Sequence, residues 1–172
     1  AGANGVYFFN FNDTLPAALQ QMSPQQRPRI THQTGSAHID VVRSAYRKAE
    51  VEVELLPFID DMALRLAACD VIVCRAGAVT VSELCAGGVP SILVPLIVST
   101  TSHQRDNALF MAQHGAAIHL PQEQMTPEKL AEVLRGMDRQ QLLVMAEKAR
   151  ALGRPRAAAR VADAIESLVN KR

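Results

Sequence analysis

Residue types that suit the binding of an anion follow one another in the stretch CRAGAVTVSEL, residues 74–84. Gly77 and Ala78 are small enough for backbone N–H groups to approach an anion closely. The residues after them have the pattern of a helix start, where the helix dipole and unbonded N–H groups favour phosphate. Arg75 adds a guanidinium beside this positive helix end. Two positive groups at one place are favourable when an anion binds between them. The stretch therefore predicts an anion-binding turn.

The same stretch also has a purely structural interpretation. Thr80 can cap the helix, and Glu83 follows it by three residues, which matches the T-x-x-E pattern of a capping box. In this interpretation the two side chains stabilise the helix start and bind no ligand. The residues alone leave both interpretations open, and Thr80 is expected to cap the helix in either.

Apolar segments on both sides position this turn. Residues 71–73, VIV, predict a strand before it, and residues 89–95, VPSILVP, contain a second strand after the helix, which together make a βαβ unit. The turn then lies at the carboxyl end of its strand, where open α/β sheets bind ligands. Strands and helices alternate along the chain, which predicts an α/β fold with a Rossmann-like parallel sheet and helices on both faces.

Hydrophobic periodicity and turn residues predict the other elements. We expect strands at residues 29–32, 51–55 and 116–120, and helices at residues 15–22, 37–49, 58–69, 103–114 and 127–134. Residues 138–170 are expected to form two more helices, broken at the sequence GRP. An aspartate is expected to cap helix 58–69, Thr126 to open helix 127–134, and residues 97–102 to form a loop at a strand end.

The composition of the 172 residues fits one soluble globular domain, with 48% hydrophobic and 20% charged residues. The net charge of +1 and the lack of a basic run argue against a nucleic-acid partner. No apolar stretch is long enough to span a bilayer, and no signal peptide is visible at the start. Cys69, Cys74 and Cys85 lack zinc-ligand spacing, so we expect buried free thiols in a reducing cytoplasm.

The stretch 74–84 resembles the nucleotide-binding segment of the MurG family of bacterial glycosyltransferases. Three further segments are similar to motifs of that family: THQTG at 31–35 to H-Q-[ST]-G, FIDDM at 58–62 to F-I-x-D-M, and HQRDNA at 103–108 to H-Q-x-x-N-A. The resemblance extends over nearly the whole chain from about residue 12. It implies that residues 1–172 are a single UDP-sugar-binding domain, the C-terminal half of a two-domain GT-B-type enzyme. The N-terminal half, with the acceptor site and the expected catalytic base, is absent, so the catalytic residues are unknown.

The resemblance also implies an activity. Enzymes of the MurG family are inverting hexosyltransferases that transfer N-acetylglucosamine from UDP-N-acetylglucosamine to lipid I. The product, lipid II, serves peptidoglycan synthesis and with it cell wall biogenesis, cell shape and cell division. The implied location is cytoplasmic, peripheral on the inner face of the bacterial cell membrane. The implied partners are UDP-N-acetylglucosamine, a lipid-linked acceptor bound through the missing half, and the membrane surface, and this fragment alone is expected to be inactive.

On the same resemblance, the UDP-sugar site comprises Phe58, Ile59, Met62, Arg75, Gly77, Ala78, Val79, Thr80, Val81, Ser82, Glu83, His103, Gln104 and Asn107. Ile59 would read uracil through its main chain, with Phe58 and Met62 as an apolar wall, although a core-facing helix start explains these three residues equally well. Glu83 is suited to accept hydrogen bonds from the ribose hydroxyls. The N–H groups of residues 78–80 would hold the diphosphate in place of a metal. No cofactor is implied, and the chain has no Asp-x-Asp pair, so no metal ion is expected.

Polar residues at the start of helix 103–114 suit the sugar. His103, Gln104 and Asn107 lie three or four residues apart, so they can share one helix face, and the two amides can both donate and accept hydrogen bonds. Many family members have Gln at the position of His103. The family's G-G-S-x-G-A loop corresponds to AGANGV at residues 1–6, which lacks the serine, so no phosphate binding is assigned there.

Two other functions stay open on the sequence. In the first, the chain is the soluble sugar-donor-binding subunit of a two-chain UDP-N-acetylglucosamine transferase, active only with a membrane partner. In the second, it is a nucleotide-sugar epimerase, which shares the fold and requires an acid–base set within a single-sugar pocket. The residues do not decide between N-acetylglucosamine and glucose, or between lipid I and another polyprenyl acceptor.

Overall fold

Six strands form one sheet in the computed structural model of the chain, which describes residues 6–9, 11–96 and 103–169. The strands are β1 (Val6–Phe9), β2 (Ile30–Gln33), β3 (Glu54–Leu56), β4 (Val71–Cys74), β5 (Ser91–Leu93) and β6 (Ala117–His119). Their order is β3-β2-β1-β4-β5-β6, and every neighbouring pair is parallel. The predicted Rossmann-like parallel sheet is confirmed. The predicted loop 97–102 and the altered glycine-rich residues 1–5 lie outside the described residues.

Helices cover both faces of this sheet. They are α1 (Thr14–Gln20), α2 (Ile39–Lys48), α3 (Met62–Ala68), α4 (Ala78–Gly87), α5 (His103–Gln113), α6 (Pro127–Gly136), α7 (Arg139–Leu152) and α8 (Ala157–Val169). Val71 and Val73 belong to one buried cluster, and Ile72 and Cys74 belong to another. Because successive side chains of a strand point to opposite faces, the two clusters lie on opposite sides of the sheet.

The strand order changes direction between β1 and β4, which lie side by side at the centre of the sheet. From β1 the chain proceeds outward to β2 and β3, whereas from β4 it proceeds the other way to β5 and β6. In such sheets, ligands bind outside the carboxyl ends of the strands at the point of reversal. Residues 75–77 follow β4 at this point, so the fold positions the predicted anion-binding turn at a ligand-binding edge.

The strand predicted at 51–55 begins later, as β3. The N–H of Val51 donates to the carbonyl of Tyr46 at 3.1 Å, so Val51 closes the end of α2 instead of joining the sheet. Pairing with β2 starts opposite Thr31, whose hydroxyl donates to the Glu54 carboxylate at 2.7 Å. Arg65 also donates to that carboxylate, at 2.8 Å, and these hydrogen bonds lower the pKa of Glu54.

The helix predicted from residue 58 begins at Met62 instead. Asp61 occupies its N-cap position, but its side chain makes no capping hydrogen bond. The carboxylate accepts from Nε of Arg65 at 3.1 Å, and this ion pair replaces the predicted cap, which is therefore wrong. The other predicted helices agree with the structure to within a few residues. Thr126 caps α6 as predicted, accepting from the N–H of Lys129 at 3.2 Å.

The last helix, α8, lies outside the buried clusters. Its residues are all exposed, and Val161, Ile165 and Leu168 form an apolar stripe along it. The break between α7 and α8 falls at residues 153–156, where the GRP sequence predicts it. Within the described ranges, none of the helices is both long and apolar enough to cross a membrane.

The three cysteines are free thiols, as predicted. Cys74 and Cys85 are buried, and Cys69 is half-buried. Burial raises the pKa of the Cys69 and Cys74 thiols to about 12. These thiols are therefore protonated at neutral pH and behave as small apolar side chains.

Candidate functional site

The helix that follows the predicted anion-binding turn starts three residues earlier than a Thr80 cap would imply. Gly77 is the N-cap residue of α4, with extended backbone angles (φ −62°, ψ 150°). Its carbonyl accepts a hydrogen bond from the N–H of Val81 at 2.9 Å. Thr80 is therefore the third residue of the helix and Glu83 the sixth. The predicted capping box of Thr80 and Glu83 is wrong.

The early start follows from the small residues of the turn. Ala78 has the highest intrinsic helix propensity and comes directly after Gly77, so the helix can begin before the β-branched Val79 and Thr80. Gly77 has no side chain with which to cap, so the N-cap residue of α4 makes no side-chain capping hydrogen bond. The N–H groups of the first turn therefore receive no acceptor from a capping side chain of Gly77. A helix end of this kind favours an anion.

A cavity of about 290 Å³, here called the first cavity, opens between α3, β4 and α4. Four predicted site residues line it together: Met62, Arg75, Thr80 and Glu83. The rest of its wall is apolar and consists of Leu66, Ile72, Cys74 and Leu84. An apolar wall with a few convergent polar groups is typical of a small-molecule site.

The other predicted residues of α4 face a second cavity. Ala78, Val79, Val81 and Ser82 line this opening of about 730 Å³, together with residues of α5 and the α7–α8 junction. Glu83 borders both cavities. The predicted residues thus surround the first turns of α4 and do not all face one pocket.

The guanidinium of Arg75 is held on the β5 side of the first cavity. Its Nη1 donates to the carbonyl of Val94 at 3.2 Å and to Oε1 of Gln122 at 2.7 Å. Its Cζ lies 5.0 Å from the centre of the Phe11 ring. Partial burial lowers the pKa of Arg75. The side chain is therefore a fixed positive charge close to the start of α4.

The segment between β3 and α3 is tied to the end of β2. The N–H of Ile59 donates to Oε1 of Gln33 at 2.9 Å, and the N–H of Thr34 donates to the carbonyl of Leu56 at 3.0 Å. The side chain of Ile59 is only 2% exposed and packs in the cluster that also contains the apolar wall of the first cavity. Phe58, in contrast, is 63% exposed. Ile59 thus faces the core, and Phe58 faces solvent.

The polar residues at the start of α5 contact the ends of β4 and β5. Oε1 of Gln104 accepts from the N–H of Leu96 at 2.9 Å, and Nδ2 of Asn107 donates to the carbonyl of Ala76 at 2.9 Å. His103 is exposed at the first position of the helix. The two amides therefore hold the segments that follow β4 and β5, and each amide has a second polar group that a sugar hydroxyl could contact.

A buried histidine of β2 contacts helix α2. Nδ1 of His32 lies 3.0 Å from the hydroxyl of Tyr46 on α2. Burial lowers the pKa of His32 to about 4 and raises that of Tyr46. His32 is therefore a neutral structural residue. In the part of the chain that the structure describes, no group of three or more His, Cys, Asp or Glu side chains is placed to hold a metal ion.

The sequence matches the family model described as the glycosyltransferase family 28 C-terminal domain over residues 6–168. That match includes every strand of the sheet and both cavities. The chain belongs to this family. The matched range contains all the predicted site residues, so this family 28 domain carries the whole candidate site described above.

Two relatives of this family 28 domain share the name UDP-N-acetylglucosamine--N-acetylmuramyl-(pentapeptide) pyrophosphoryl-undecaprenol N-acetylglucosamine transferase. The protein from Methylibium petroleiphilum is 70% identical over 162 residues, which cover 93% of this chain and 44% of the relative. The protein from Chromobacterium violaceum is 59% identical over 162 residues, which cover 93% of this chain and 45% of the relative. The family 28 domain thus spans less than half the length of these curated relatives.

Solved structures share the fold of the family 28 domain. The crystal structure of Acinetobacter baumannii MurG superposes with a TM-score of 0.89 at 36% identity, covering 97% of this chain and 52% of that one. A putative UDP-N-acetylglucosamine 2-epimerase from Listeria monocytogenes superposes with a TM-score of 0.71 at 13% identity, covering 100% of this chain and 47% of that one. The second likeness shows the fold alone.

Three residues that hold the site received no role from the sequence. Gln33 lies in the THQTG segment at the end of a predicted strand, which was the available signal for it. Phe11 and Gln122 hold Arg75. Gln122 lies 47 residues beyond Arg75 in the chain, and no local pattern marks it.

Proposed function

We propose that this chain is the sugar-donor half of a glycosyltransferase. Residues 1–172 form a single domain that binds UDP-N-acetylglucosamine for transfer of N-acetylglucosamine to lipid I, giving lipid II in peptidoglycan synthesis. The names of the two relatives at 70% and 59% identity support this donor and this acceptor. The observation that carries the proposal is that the uncapped start of α4 borders a cavity lined by Met62, Arg75, Thr80 and Glu83.

The diphosphate binds at the start of α4 in this proposal. The N–H groups of residues 78–80 have no side-chain cap, and the helix dipole adds its positive end. When the acceptor hydroxyl attacks the anomeric carbon, the bond from that carbon to the diphosphate oxygen breaks and negative charge grows on the leaving group. N–H groups and a guanidinium that are already in place stabilise this charge without reorganisation. Arg75, held by Val94 and Gln122, supplies the guanidinium.

The nucleoside occupies the first cavity. Met62 and Leu66 provide an apolar wall for the base. Ile59, which lies between β3 and α3, contacts the base through its main chain. The exposed Phe58 covers the base from the solvent side. Glu83 borders the cavity with an exposed carboxylate, which accepts hydrogen bonds from the ribose hydroxyls.

The sugar contacts the start of α5. Gln104 and Asn107 are already fixed there by hydrogen bonds to Leu96 and Ala76, which limits the freedom that their amides lose when they bind hydroxyls. His103 lies at the same end of the helix and completes the polar face. The catalytic base that takes the proton from the acceptor hydroxyl belongs to the other half of the enzyme.

The domain functions as part of a longer enzyme, cytoplasmic and peripheral on the inner face of the bacterial membrane, where the lipid-linked acceptor lies. The two relatives contain the matched region within one polypeptide more than twice as long, which supports a single-chain enzyme over a two-chain complex. The exposed stripe of Val161, Ile165 and Leu168 on α8 is suited to contact the other half.

Isothermal titration calorimetry of the chain tests the proposal. UDP and UDP-N-acetylglucosamine are expected to bind with dissociation constants below the millimolar range. ADP carries the same diphosphate but a purine base, and it is expected to bind at least about tenfold more weakly. The absence of binding heat with UDP at millimolar concentration would contradict the proposal. Equal affinity for ADP and UDP would show that the site binds the diphosphate at the start of α4 without recognising the base.

A further inference from the structure

Segments that follow three other strands hold the guanidinium of Arg75, which itself follows β4. The ring of Phe11, after β1, lies 5.0 Å from Cζ. After β5 and β6, the carbonyl of Val94 and Oε1 of Gln122 accept hydrogen bonds at 3.2 Å and 2.7 Å. Both hydrogen bonds come from the same nitrogen, Nη1. Because each terminal nitrogen of a guanidinium carries two hydrogens, Nη1 has no further hydrogen to donate.

The other edge of this guanidinium consists of Nε and Nη2. Among residues 6–9, 11–96 and 103–169, no acceptor contacts either nitrogen. One hydrogen of each is directed to the same side of the planar group, and this pair matches two oxygens of a phosphate. The side chain lines the first cavity close to the start of α4. The contacts to Nη1 therefore determine which edge of Arg75 is available to a ligand.

The backbone that carries Gln122 is fixed independently of Arg75. Gln122 is the first residue of a short 3-10 turn, Gln122–Gln124, between β6 and α6. Before the turn, the N–H of the buried Leu120 donates to the carbonyl of Leu93 at 2.9 Å. Within it, the N–H of Met125 donates to the carbonyl of Gln122 at 3.1 Å. The amide of Gln122 thus extends from an ordered turn that is bonded to the sheet.

We propose that Gln122 is a positioning residue for the diphosphate of the sugar donor. By accepting a hydrogen of Nη1, Gln122 directs the Nε–Nη2 edge of Arg75 toward the start of α4, where this edge donates to two oxygens of the diphosphate. This role rests on the proposed function, because it requires a diphosphate at α4. The donor site then extends to the turn after β6, 47 residues beyond Arg75 in the chain.

The contribution of Gln122 is to restrict a flexible side chain before the ligand arrives. Without its amide, only the Val94 carbonyl accepts from Nη1, at the longer distance of 3.2 Å. The guanidinium then gains rotational freedom, which a bound diphosphate must remove again, and this ordering weakens binding. Gln122 therefore acts on the ligand only through Arg75, so its effect should depend on the presence of that guanidinium.

A double-mutant cycle measures this dependence. Calorimetry gives the UDP dissociation constants of the parent chain, Gln122→Met, Arg75→Met and the double variant. Methionine keeps an unbranched side chain but offers neither a comparable acceptor nor a charge. We expect Gln122→Met to weaken UDP binding about tenfold in the parent. In the Arg75→Met background the same substitution should change the constant by less than about twofold, because no guanidinium remains to be positioned.

Gln124→Met is the matched control, since Gln124 is an exposed glutamine of the same turn. It should leave the UDP dissociation constant unchanged, and a loss as large as that of Gln122→Met would overturn the inference. Equal losses from Gln122→Met in both backgrounds would also overturn it, because Gln122 would then not act through Arg75. A parent chain that does not bind UDP would instead overturn the proposed function, and the role of Gln122 with it.

Nuclear magnetic resonance of the ¹⁵N-labelled parent chain provides a test that needs no variant. Two hydrogen bonds to Nη1 should slow the rotation of this amino group, so we expect separate signals for its two hydrogens before nucleotide is added. UDP should then shift the Nε and Nη2 signals of Arg75 and leave those of Nη1 nearly in place. A freely rotating Nη1 group in the chain without nucleotide would overturn the inference even if the variants do not fold.

Discussion

Two helices begin at opposite ends of β4, and their first turns are built in opposite ways. α7 starts near the amino end of the strand, where Arg139 donates to the Asp70 carboxylate at 3.2 Å. Its N-cap Asp138 accepts from the N–H of Gln141 at 2.7 Å, and the Gln141 side chain accepts from the N–H of Asp138 at 3.3 Å. α4 starts at the carboxyl end of β4 with Gly77, which has no atom to offer as a cap.

The difference separates a helix start that serves the fold from one that can serve a ligand. An N-cap side chain contributes about 0.5–2 kcal/mol of stability, because it satisfies N–H groups that the helix leaves unbonded. α7 obtains this contribution from its own residues. α4 begins with glycine, which costs only about a few tenths of a kcal/mol relative to a capping aspartate. Its first-turn N–H groups are therefore available to an anion beside the fixed charge of Arg75. In the proposed site, a bound diphosphate completes the hydrogen bonds that a capping residue completes in α7.

The largest effect is expected when α4 receives the N-cap residue of α7, by Gly77→Asp. The new carboxylate would bond the first-turn N–H groups and repel the diphosphate, so the UDP affinity should fall by about 3 kcal/mol. The helix gains a capping side chain, and because glycine is itself tolerated at an N-cap, the free energy of unfolding should rise by only about a few tenths of a kcal/mol. Calorimetry with UDP and thermal unfolding measure these two opposite changes.

Gly77→Ala is the matched control for this substitution. A Cβ at Gly77 would lie 3.8 Å from Oγ1 of Thr80, an ordinary contact, and the φ of −62° suits alanine. The alanine variant should therefore fold normally and bind UDP far better than Gly77→Asp. Equal UDP affinities for the two variants would show that the N–H groups of α4 do not hold the diphosphate.

The second effect concerns Glu83, which borders both cavities but takes no part in a capping box. If its carboxylate accepts the ribose hydroxyls, Glu83→Ala should weaken UDP binding by about 2 kcal/mol, within the range for hydrogen bonds to a charged group. The thermal midpoint should change little, because the side chain is exposed and does not cap the helix. Glu83→Gln should fold normally and also bind UDP poorly, because the amide lacks the charge.

Glu147→Ala removes an exposed glutamate from α7 and is the control for a general loss of negative charge. It should leave the UDP dissociation constant unchanged. A Glu83→Gln variant with the affinity of the parent would remove Glu83 from the ribose site, while the assignment of the diphosphate to α4 would still stand on the Gly77 variants.

The sequence predicts the position of the site more accurately than its local geometry. The apolar run 71–73, the small-residue turn and the alternation of elements together predict a parallel sheet with the turn at its carboxyl edge, because burial and chain reversal are encoded locally. The start of α4 is predicted wrongly, since the T-x-x-E pattern at Thr80 and Glu83 competes with an equally local alternative, Gly77 followed by a strong helix former. Short-range sequence patterns do not show which of these two helix starts the chain adopts.

Contacts between distant segments could not be predicted at all. Gln33 meets Ile59 across 26 residues because β2 and β3 are neighbours in a specific register. Arg75 meets Gln122 across 47 residues because both follow strands on the same half of the sheet. Both contacts are set by strand order, which alternation alone leaves open. The strand predicted at 51–55 starts late for a similar reason, since Val51 bonds to the end of α2.

The smallest effect is expected at the other end of β4, from Asp138→Ala. The substitution removes the capping carboxylate of α7, so the free energy of unfolding should fall by about 1 kcal/mol, and the thermal midpoint by about 2–4 °C. UDP affinity should stay unchanged, because this helix start lies at the amino edge of the sheet. Asp138→Asn should recover most of the stability, since asparagine caps nearly as well as aspartate. If Asp138→Ala weakened UDP binding as strongly as Gly77→Asp, the start of α7 would affect the ligand as much as the start of α4. The difference in capping between the two helices would then not explain where UDP binds.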